Sequence, residues 1–390
     1  MRQRVSGSRV IALVAVAGAV AGAVAGAVLL ASSSAMESVT VSASSSFGMS
    51  SAVPSAVSST TVSAVSSARG AAHVAASAQG GAVPPRTEAG LYTMPVQGKV
   101  HVIVGAGANI TVQVGDLGAI VVDTGTVQSA DAVLASIRRL TNKPIRYIIN
   151  THSHPDHVGG NERIGASGLP ISGRGVAQVG AGLGARAEII AHEGTLNRMS
   201  APAGSQAATP IAAWPTSTFS GRHKEFFYNG EALQFVHLPS AHTDGDSITF
   251  FRRSDVIAAG DVYSTVSYPI IDAQRGGSIG GVLDGLNQLL DLVISGEKTE
   301  GGTMIVPGHG RVSDEADLVE YRDMVTIIRD RVQDMVNRGM TLAQAQAARP
   351  TMEYDGLYAG APGWSAAQFV DAVYSGLRPG PVSQPSVRPK

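Results

Sequence analysis

Three histidines and an aspartate fall within six positions in the stretch "YIINTHSHPDHVGGNE", residues 148–163. In extended backbone, residues two apart project to the same side, about 6.6 Å from each other, so His152 and His154 can converge on one ion. A proline bend then directs Asp156 and His157 toward a second position. Imidazole and carboxylate groups without sulfur suit zinc, and iron or manganese less well. The spacing therefore predicts a metal site on a turn.

Strand-like and helical segments alternate around this cluster. The runs "KVHVIVG" and "ITVQVGDLGAIVVDTG" are typical of strands, and "IRYIIN" is typical of a buried strand leading into the histidines. The segment "SADAVLASIRRLTN" has apolar residues at helical spacing after a serine start. A long helix is predicted from Leu318 to Met335, with a stop at Gly339. These patterns predict an α/β chain with more than one sheet.

The motif "HSHPDH" resembles the HxHxDH signature of the metallo-β-lactamase superfamily, which includes glyoxalase II, lactonases and zinc β-lactamases. Further ligand candidates follow in family order: His242 in "LPSAHTDGDS", Asp261 in "AAGDVYS" and His309 in "IVPGHG". Asp123 in "VVDTG" matches a residue that supports the metal-binding loop in the family. The resemblance covers roughly residues 95–375 and implies a four-layer αββα sandwich with the metals at one edge of two packed sheets.

Carried over by position, the resemblance implies two Zn²⁺ ions per chain. The implied ligands of the first metal are His152, His154 and His242. Those of the second metal are Asp156, His157 and His309. Asp261 is implied to bridge the two metals. Hydrolysis by a metal-bound hydroxide is implied as well, with Asp156 as the catalytic group that orients the hydroxide. The predicted function is a binuclear zinc hydrolase that cleaves an ester, thioester, lactone or amide.

Three other functions remain open on the sequence. The chain has no cysteine, so a zinc β-lactamase of the cysteine-free type is the alternative enzyme. Such β-lactamases commonly have serine where this chain has Asp261, which disfavours that alternative. A mononuclear iron persulfide dioxygenase shares the fold but relies on fewer ligands than are present here. A non-catalytic binding protein would keep the fold without the reaction.

Composition and the N-terminus bear on partners and location. The formal net charge of -1 does not suggest a polyanion-binding surface, so the predicted partner is a small-molecule substrate and not nucleic acid. Arg2, Arg4 and Arg9 precede an uncharged apolar run, and small residues follow it, which is the pattern of a secretion signal. An uncleaved membrane anchor is the competing interpretation, since about 20 apolar residues span a bilayer. The chain is predicted to be exported, to a periplasmic or extracellular location. The sequence does not predict an oligomeric state.

These observations divide the chain into segments. The predicted segments are a signal peptide or N-terminal membrane anchor at 1–35, a Ser/Ala-rich disordered linker at 36–90, a catalytic domain of the metallo-β-lactamase fold at 91–378 and a flexible tail at 379–390.

Other histidines have less specific settings. His192 ends a strand-like run, and a structural role is favoured there over lining the pocket. His101 is expected within a strand and His223 in solvent, whereas His237 suits either burial or a hydrogen bond near the site. The insert at 198–221 is a candidate lid.

Overall fold

The computed structural model describes residues 90–171, 184–201, 209–299 and 301–378. The predicted signal or anchor, the predicted linker apart from Gly90, and the predicted tail lie outside these ranges. No helix within the described ranges is long and apolar enough to cross a membrane.

Seven strands form the first sheet, and their order in the sheet is their order in the chain. They are β1 (Tyr92–Gln97), β2 (Val100–Ala106), β3 (Ala108–Gly115), β4 (Gly118–Val122), β5 (Ile145–Ile149), β6 (Glu188–His192) and β7 (Ser217–Phe219). Neighbours from β1 to β4 are antiparallel, and those from β4 to β7 are parallel. Strands β4 and β6 are buried along their whole length, which agrees with the fully apolar sequence of β4 and the apolar centre of β6.

Five strands form the second sheet, in the order β12-β11-β10-β9-β8. They are β8 (His223–Tyr228), β9 (Glu231–His237), β10 (Ser247–Phe251), β11 (Val256–Ser264) and β12 (Met304–His309). Neighbours from β8 to β11 are antiparallel, and only the β11–β12 pair is parallel within this sheet. The chain after β11 therefore crosses over through a helix before β12 begins.

Nine α-helices connect or cover the described strands. They are α1 (Ala130–Leu140), α2 (Pro155–Val158), α3 (Asn161–Ala166), α4 (Glu193–Ser200), α5 (Ile279–Leu292), α6 (Glu315–Asn337), α7 (Leu342–Ala347), α8 (Asp355–Tyr358) and α9 (Ala366–Leu377). The predicted long helix corresponds to α6, which ends two residues before Gly339; Gly339 has a φ of +72°.

Apolar side chains from both sheets form the central core. Ile120 and Ile149 of the first sheet share one cluster with Phe235 and Val256 of the second. A second cluster joins α1 and α3 to the outer face of the first sheet. A third joins α5, α6 and α9 to the outer face of the second sheet. The layers therefore run helix, sheet, sheet, helix, which confirms the predicted αββα sandwich.

The short helix in the histidine motif differs from the local expectation. A proline bend was expected before Asp156 and His157, but Pro155 is the first residue of α2, and a new helix, α3, starts after Gly160. Proline is favoured at the first helical position because its missing N–H would have no partner there in any case. Asp156 and His157 therefore lie in one helical turn rather than in an extended bend.

Candidate metal centre

The parallel part of the first sheet carries the histidine motif to one edge of the sandwich. Strands β4, β5 and β6 are parallel neighbours, so the chain leaves all three at the same edge. The segment after β5 contains His152 and His154, and His154 is the residue that precedes α2. His152 is buried, with a side chain that is 1% exposed. The loop geometry thus directs two imidazoles and the first turn of α2 toward a common point.

The second sheet supplies the remaining candidates at the same edge. His242 lies in the loop between β9 and β10, Asp261 lies within β11, and His309 is the last residue of β12. Strands β11 and β12 are parallel, and their register shifts between Gly260 and Ser264, the stretch that contains Asp261. The Asp261 carboxylate lies 3.4 Å from His309 Nε2. Gly308 permits this approach, since a Cβ at that position would overlap the Asp261 carboxylate.

Three histidines and Asp261 form the first ligand group. The Nδ1 atom of His154 lies 3.1 Å from His152 Nε2 and 2.8 Å from His242 Nε2. The Asp261 Oδ2 atom lies 3.9 Å from His152 Nε2 and 3.7 Å from His242 Nε2. All four ligand atoms lie within 4.8 Å of one another.

Asp156, His157 and His309 form the second ligand group, again within 4.8 Å of one another. Asp156 Oδ2 lies 3.8 Å from His157 Nε2 and 3.3 Å from His309 Nε2. The other oxygen of Asp261, Oδ1, lies 3.1 Å from His157 Nε2 and 3.4 Å from His309 Nε2. One carboxylate oxygen of Asp261 therefore faces each group.

The proton positions of this cluster fit a bound cation. The backbone oxygen of Ile270, 2.6 Å from His242 Nδ1, accepts its proton, and Asp272 Oδ2, 2.9 Å from His154 Nε2, accepts the proton there. His154 Nδ1 and His242 Nε2 then carry a lone pair and no proton, and these two nitrogens face each other at 2.8 Å. Such a contact is unfavourable unless a cation lies between the nitrogens.

Two orphaned atoms point to the same conclusion. His157 Nε2 and Asp261 Oδ1 are buried and make no hydrogen bond within the described part of the chain, although they lie 3.1 Å apart. Buried polar atoms without a partner are costly. A metal ligated by both atoms would satisfy them, and nitrogen and oxygen donors without sulfur suit zinc.

A family model described as "Metallo-beta-lactamase superfamily" matches residues 103–309, which is more than half of the chain. The chain belongs to the metallo-beta-lactamase superfamily.

Alkylsulfatases are among the proteins to which this chain is similar. The linear primary-alkylsulfatase of a Pseudomonas sp. is 26% identical over 269 residues, 57% of this chain and 46% of the relative. The solved structure of a stereoselective inverting sec-alkylsulfatase from Pseudomonas sp. has a TM-score of 0.53 at 19% identity, over 73% of this chain and 50% of that one. A metallo-beta-lactamase from Pontibacter korlensis has a TM-score of 0.45 at 16% identity, over 60% of this chain and 99% of that one.

The chain spans about half the length of the alkylsulfatases that it matches. The alkylsulfatase structure, at 19% identity, establishes a shared fold alone.

Asp123 contacts His157 of the second ligand group and Thr151, the residue before His152. Its carboxylate lies 2.8 Å from His157 Nδ1 and accepts hydrogen bonds from the backbone N–H and the hydroxyl of Thr151, at 2.9 and 2.7 Å. Asp123 has a φ of +61°, in the left-handed region. An aspartate tolerates this conformation better than most residues do. The geometry agrees with the supporting role that the resemblance implied.

Asp272 is a site residue that sequence reasoning missed. It lies 118 positions from His154, yet its Oδ2 atom contacts His154 Nε2 and accepts a 2.7 Å hydrogen bond from Arg275 Nη1. Burial alone would raise the pKa of Asp272, but the hydrogen bonds from His154 and Arg275 outweigh it and hold this pKa well below its usual range. The carboxylate is therefore ionised at neutral pH.

Protonation of the metal-free site divides its histidines into two classes. Burial is the main cause that lowers the pKa of His242 to about 4, and it also lowers that of His152, so both imidazoles are neutral at pH 7. Burial opposes protonation of His309 as well, but the neighbouring carboxylates of Asp156 and Asp261 raise its pKa to about 9. Neutral imidazole is the form that a metal needs.

The other histidines in the described ranges lie outside the two ligand groups. His192 and His237 are both buried and stack at 3.5 Å between ring centroids, which agrees with the structural role favoured for His192. His101 lies in β2, and His223 is exposed on β8, as expected. The candidate lid at 198–221 is described only in part, and its role remains a prediction.

Proposed function

We propose that this chain is a binuclear zinc hydrolase that cleaves an ester, thioester, lactone or amide bond in a small-molecule substrate. One observation carries the proposal: the two carboxylate oxygens of Asp261 face two separate ligand groups that converge at one edge of the sandwich. The proposed ligands are those that the sequence predicted: His152, His154, His242, Asp156, His157, His309 and Asp261. A pair of cations is the arrangement that such a bridging carboxylate suits.

When bound, zinc would supply Lewis acidity toward the substrate oxygen and would lower the pKa of a bound water. The chain's own residues then determine where a substrate can reach the centre. The side chains of His152, His157 and His242 are at most 1% exposed, whereas Asp156 is 34% and His309 is 28% exposed. The substrate therefore approaches from the side of Asp156 and His309.

Asp156 is the proposed catalytic group on this open side. Its Oδ2 atom lies 3.3 Å from His309 Nε2. Burial alone would raise the pKa of Asp156, but the hydrogen bond with His309 and the charge of His157 outweigh it, so the pKa is lowered. An ionised carboxylate at the substrate-facing edge can orient a nucleophilic water and transfer its proton to the leaving group.

Alkyl sulfate esters are the second candidate substrate class. The similarity to the linear primary-alkylsulfatase favours them, although the chain spans less than half of that relative. A sulfate ester is hydrolysed at sulfur or carbon rather than at a carbonyl, so the two classes differ in the bond that is broken. The β-lactamase, iron dioxygenase and non-catalytic alternatives remain without a specific supporting observation in the site geometry.

Metal analysis and a substrate panel test this proposal together. Protein purified without chelator should contain close to two zinc equivalents, and one equivalent of iron would contradict the binuclear zinc assignment. The metal-quantified protein is then offered an aryl ester, a thioester, a lactone, a linear alkyl sulfate and a chromogenic cephalosporin. Faster turnover of the alkyl sulfate would favour the second candidate. Fastest turnover of the cephalosporin would favour a β-lactamase, and no turnover of any compound by the zinc-loaded protein would oppose an enzymatic function.

We also propose that the enzyme is exported. The proposal rests on the basic residues, apolar run and small residues of the first 35 positions. Cell fractionation with mass measurement of the mature chain tests it, since a full-length protein in the cytoplasm would contradict export. A full-length protein in the membrane fraction would instead favour the uncleaved anchor.

A further inference from the structure

The short segment at 270–272 contacts two of the three histidines in the first ligand group. The backbone oxygen of Ile270 accepts the Nδ1 proton of His242 at 2.6 Å. Asp272 Oδ2 lies 2.9 Å from His154 Nε2. The same segment is tied to the His242 loop through the backbone, because the N–H of Asp272 donates to the oxygen of His242 at 3.0 Å. One segment thus sets the orientation of both imidazoles.

Each of these contacts selects one tautomer. A carboxylate can only accept, so the Asp272 contact places the His154 proton on Nε2 and leaves Nδ1 as the lone pair. That lone pair points at the Nε2 atoms of His152 and His242, where the first ion would be bound. A ligating histidine is usually fixed in this way by a hydrogen bond from its other nitrogen.

Asp272 uses its two oxygens for different purposes. Oδ1 accepts a 3.0 Å hydrogen bond from the backbone N–H of Arg275 and so caps a short 3₁₀ helix at Ala273–Arg275. Oδ2 contacts His154 and also accepts from Arg275 Nη1 at 2.7 Å. The capping role and the contact with His154 can therefore be separated by substitution.

We propose that Asp272 is a positioning residue for metal binding: it holds His154 with its proton on Nε2 and its Nδ1 lone pair directed at the first ion. The inference rests on the proposed function, since it concerns the affinity of that same site for zinc. The side chain of Asp272 is 15% exposed and that of His154 is 18% exposed, so the contact is largely shielded from water. A partly shielded, charge-assisted hydrogen bond is stronger than a neutral one.

Two substitutions separate positioning from capping. Asp272→Asn keeps the shape and remains a good cap, but it replaces the charged acceptor of the His154 proton with a neutral amide. Asp272→Ser also caps but is too short to reach His154. Asp314→Asn is the matched control, because Asp314 likewise caps a helix, accepting from the backbone N–H of Asp317 at the start of α6.

Zinc affinity and the imidazole proton are the two readouts. Zinc is titrated into metal-free protein against a competing chelator, and the Nε2 proton of His154 is followed by NMR. We expect zinc binding to weaken about 10–100-fold in Asp272→Asn and at least as much in Asp272→Ser, with the control within about twofold of wild type. We expect the His154 Nε2 proton to exchange slowly with solvent in wild type and rapidly in Asp272→Ser.

Equal zinc affinity in wild type and both Asp272 variants would overturn this inference and leave the proposed function intact. An unchanged His154 proton in Asp272→Ser would overturn it as well, because a cap alone would not be expected to control that proton. Failure of the wild-type protein to bind zinc would instead overturn the proposed function, and the inference with it.

Discussion

At the scale of single residues, the two ligand groups differ in their access to solvent. Asp156 and His309 are the most exposed of the ligand candidates, whereas His152 and His157 are buried almost completely. Buried ligands hold an ion, and partly exposed ones also meet the substrate. Asp156 is therefore the residue at which loss of charge should affect the reaction more than it affects folding.

We expect Asp156→Asn to lower kcat by about 10²–10⁴-fold, the usual scale for a general acid–base group. The change keeps the shape of the side chain but removes its charge and its capacity to carry a proton. Steady-state kinetics on metal-quantified protein measures the effect, with Asp116→Asn as the control in an exposed turn. Activity within about threefold of wild type would show that Asp156 is peripheral to the reaction.

Zinc uptake should release protons near neutral pH. In the metal-free protein, the carboxylates of Asp156 and Asp261 overcome the effect of burial and raise the pKa of His309 to about 9. The pKa of His157 is also raised, largely by Asp261 and Asp123 against the effect of burial. Both imidazoles therefore carry a proton at pH 7, which zinc must displace. Affinity should accordingly fall as pH drops from 9 to 6.5.

Calorimetry in two buffers with different ionisation enthalpies measures this proton release. We expect about two protons to leave the histidines at pH 7, and about one fewer in His309→Gln. Release of the same number of protons by His309→Gln and wild type would contradict the assignment of a raised pKa to His309.

The ligand candidates could be predicted from the sequence because their signals are local: a motif of fixed spacing, or a glycine-flanked turn after a strand. Asp272 could not, because its contact with His154 is made by two loops that are far apart in the chain. Nothing in "YPIIDAQRGG" distinguishes its aspartate from an ordinary turn residue. The position becomes informative only when the tertiary structure places it beside an imidazole.

At the scale of elements, the parallel pair β11 and β12 brings a bridging carboxylate and a histidine together. Gly260 has a φ of +55°, which turns the strand just before Asp261. Gly308 leaves space for the carboxylate between the two strands. This arrangement depends on a side chain being absent, so it is sensitive to a single added methyl group.

We expect Gly308→Ala to lower zinc content and to destabilise the metal-free protein by about 1–3 kcal/mol, the usual range for overpacking. An added Cβ would overlap the Asp261 carboxylate and lie 2.8 Å from the backbone of Gly260. Gly280→Ala in α5 is the matched control, because its Cβ would meet nothing within 4 Å. Denaturant unfolding measures the free energy of unfolding, and metal analysis measures the zinc content. If both quantities matched wild type in both variants, the prediction would be contradicted.

Hydrophobic periodicity predicted the long helices but not the start of the short helix α2. The apolar face of α6 and the helix α1 follow from spacing alone, since each packs one face on a sheet. The start of α2 was mistaken because Pro155 was treated as a bend rather than as the first residue of a helix. The order of strands in the two sheets also required the structure, because strand pairing is decided by tertiary contacts.

At the scale of the whole molecule, the three apolar clusters and both ligand groups lie between Leu91 and Leu377. We expect a chain that begins at Gly90 to fold, bind zinc and turn over the same substrates with kcat/KM within about twofold of the full chain. Circular dichroism, zinc analysis and kinetics on both forms test this. An insoluble or zinc-free product would show that residues before Gly90 contribute to the domain.

The ligand groups draw on both sheets, with His152 and His154 after β5, His242 after β9 and His309 at the end of β12. Zinc bound there would link the two sheets, since they could not separate at that edge until the ion had dissociated. The lifetime of the folded enzyme would then follow the rate of zinc release as much as the strength of its apolar core. For an exported enzyme, as proposed here, persistence would depend on the residence time of a metal ion.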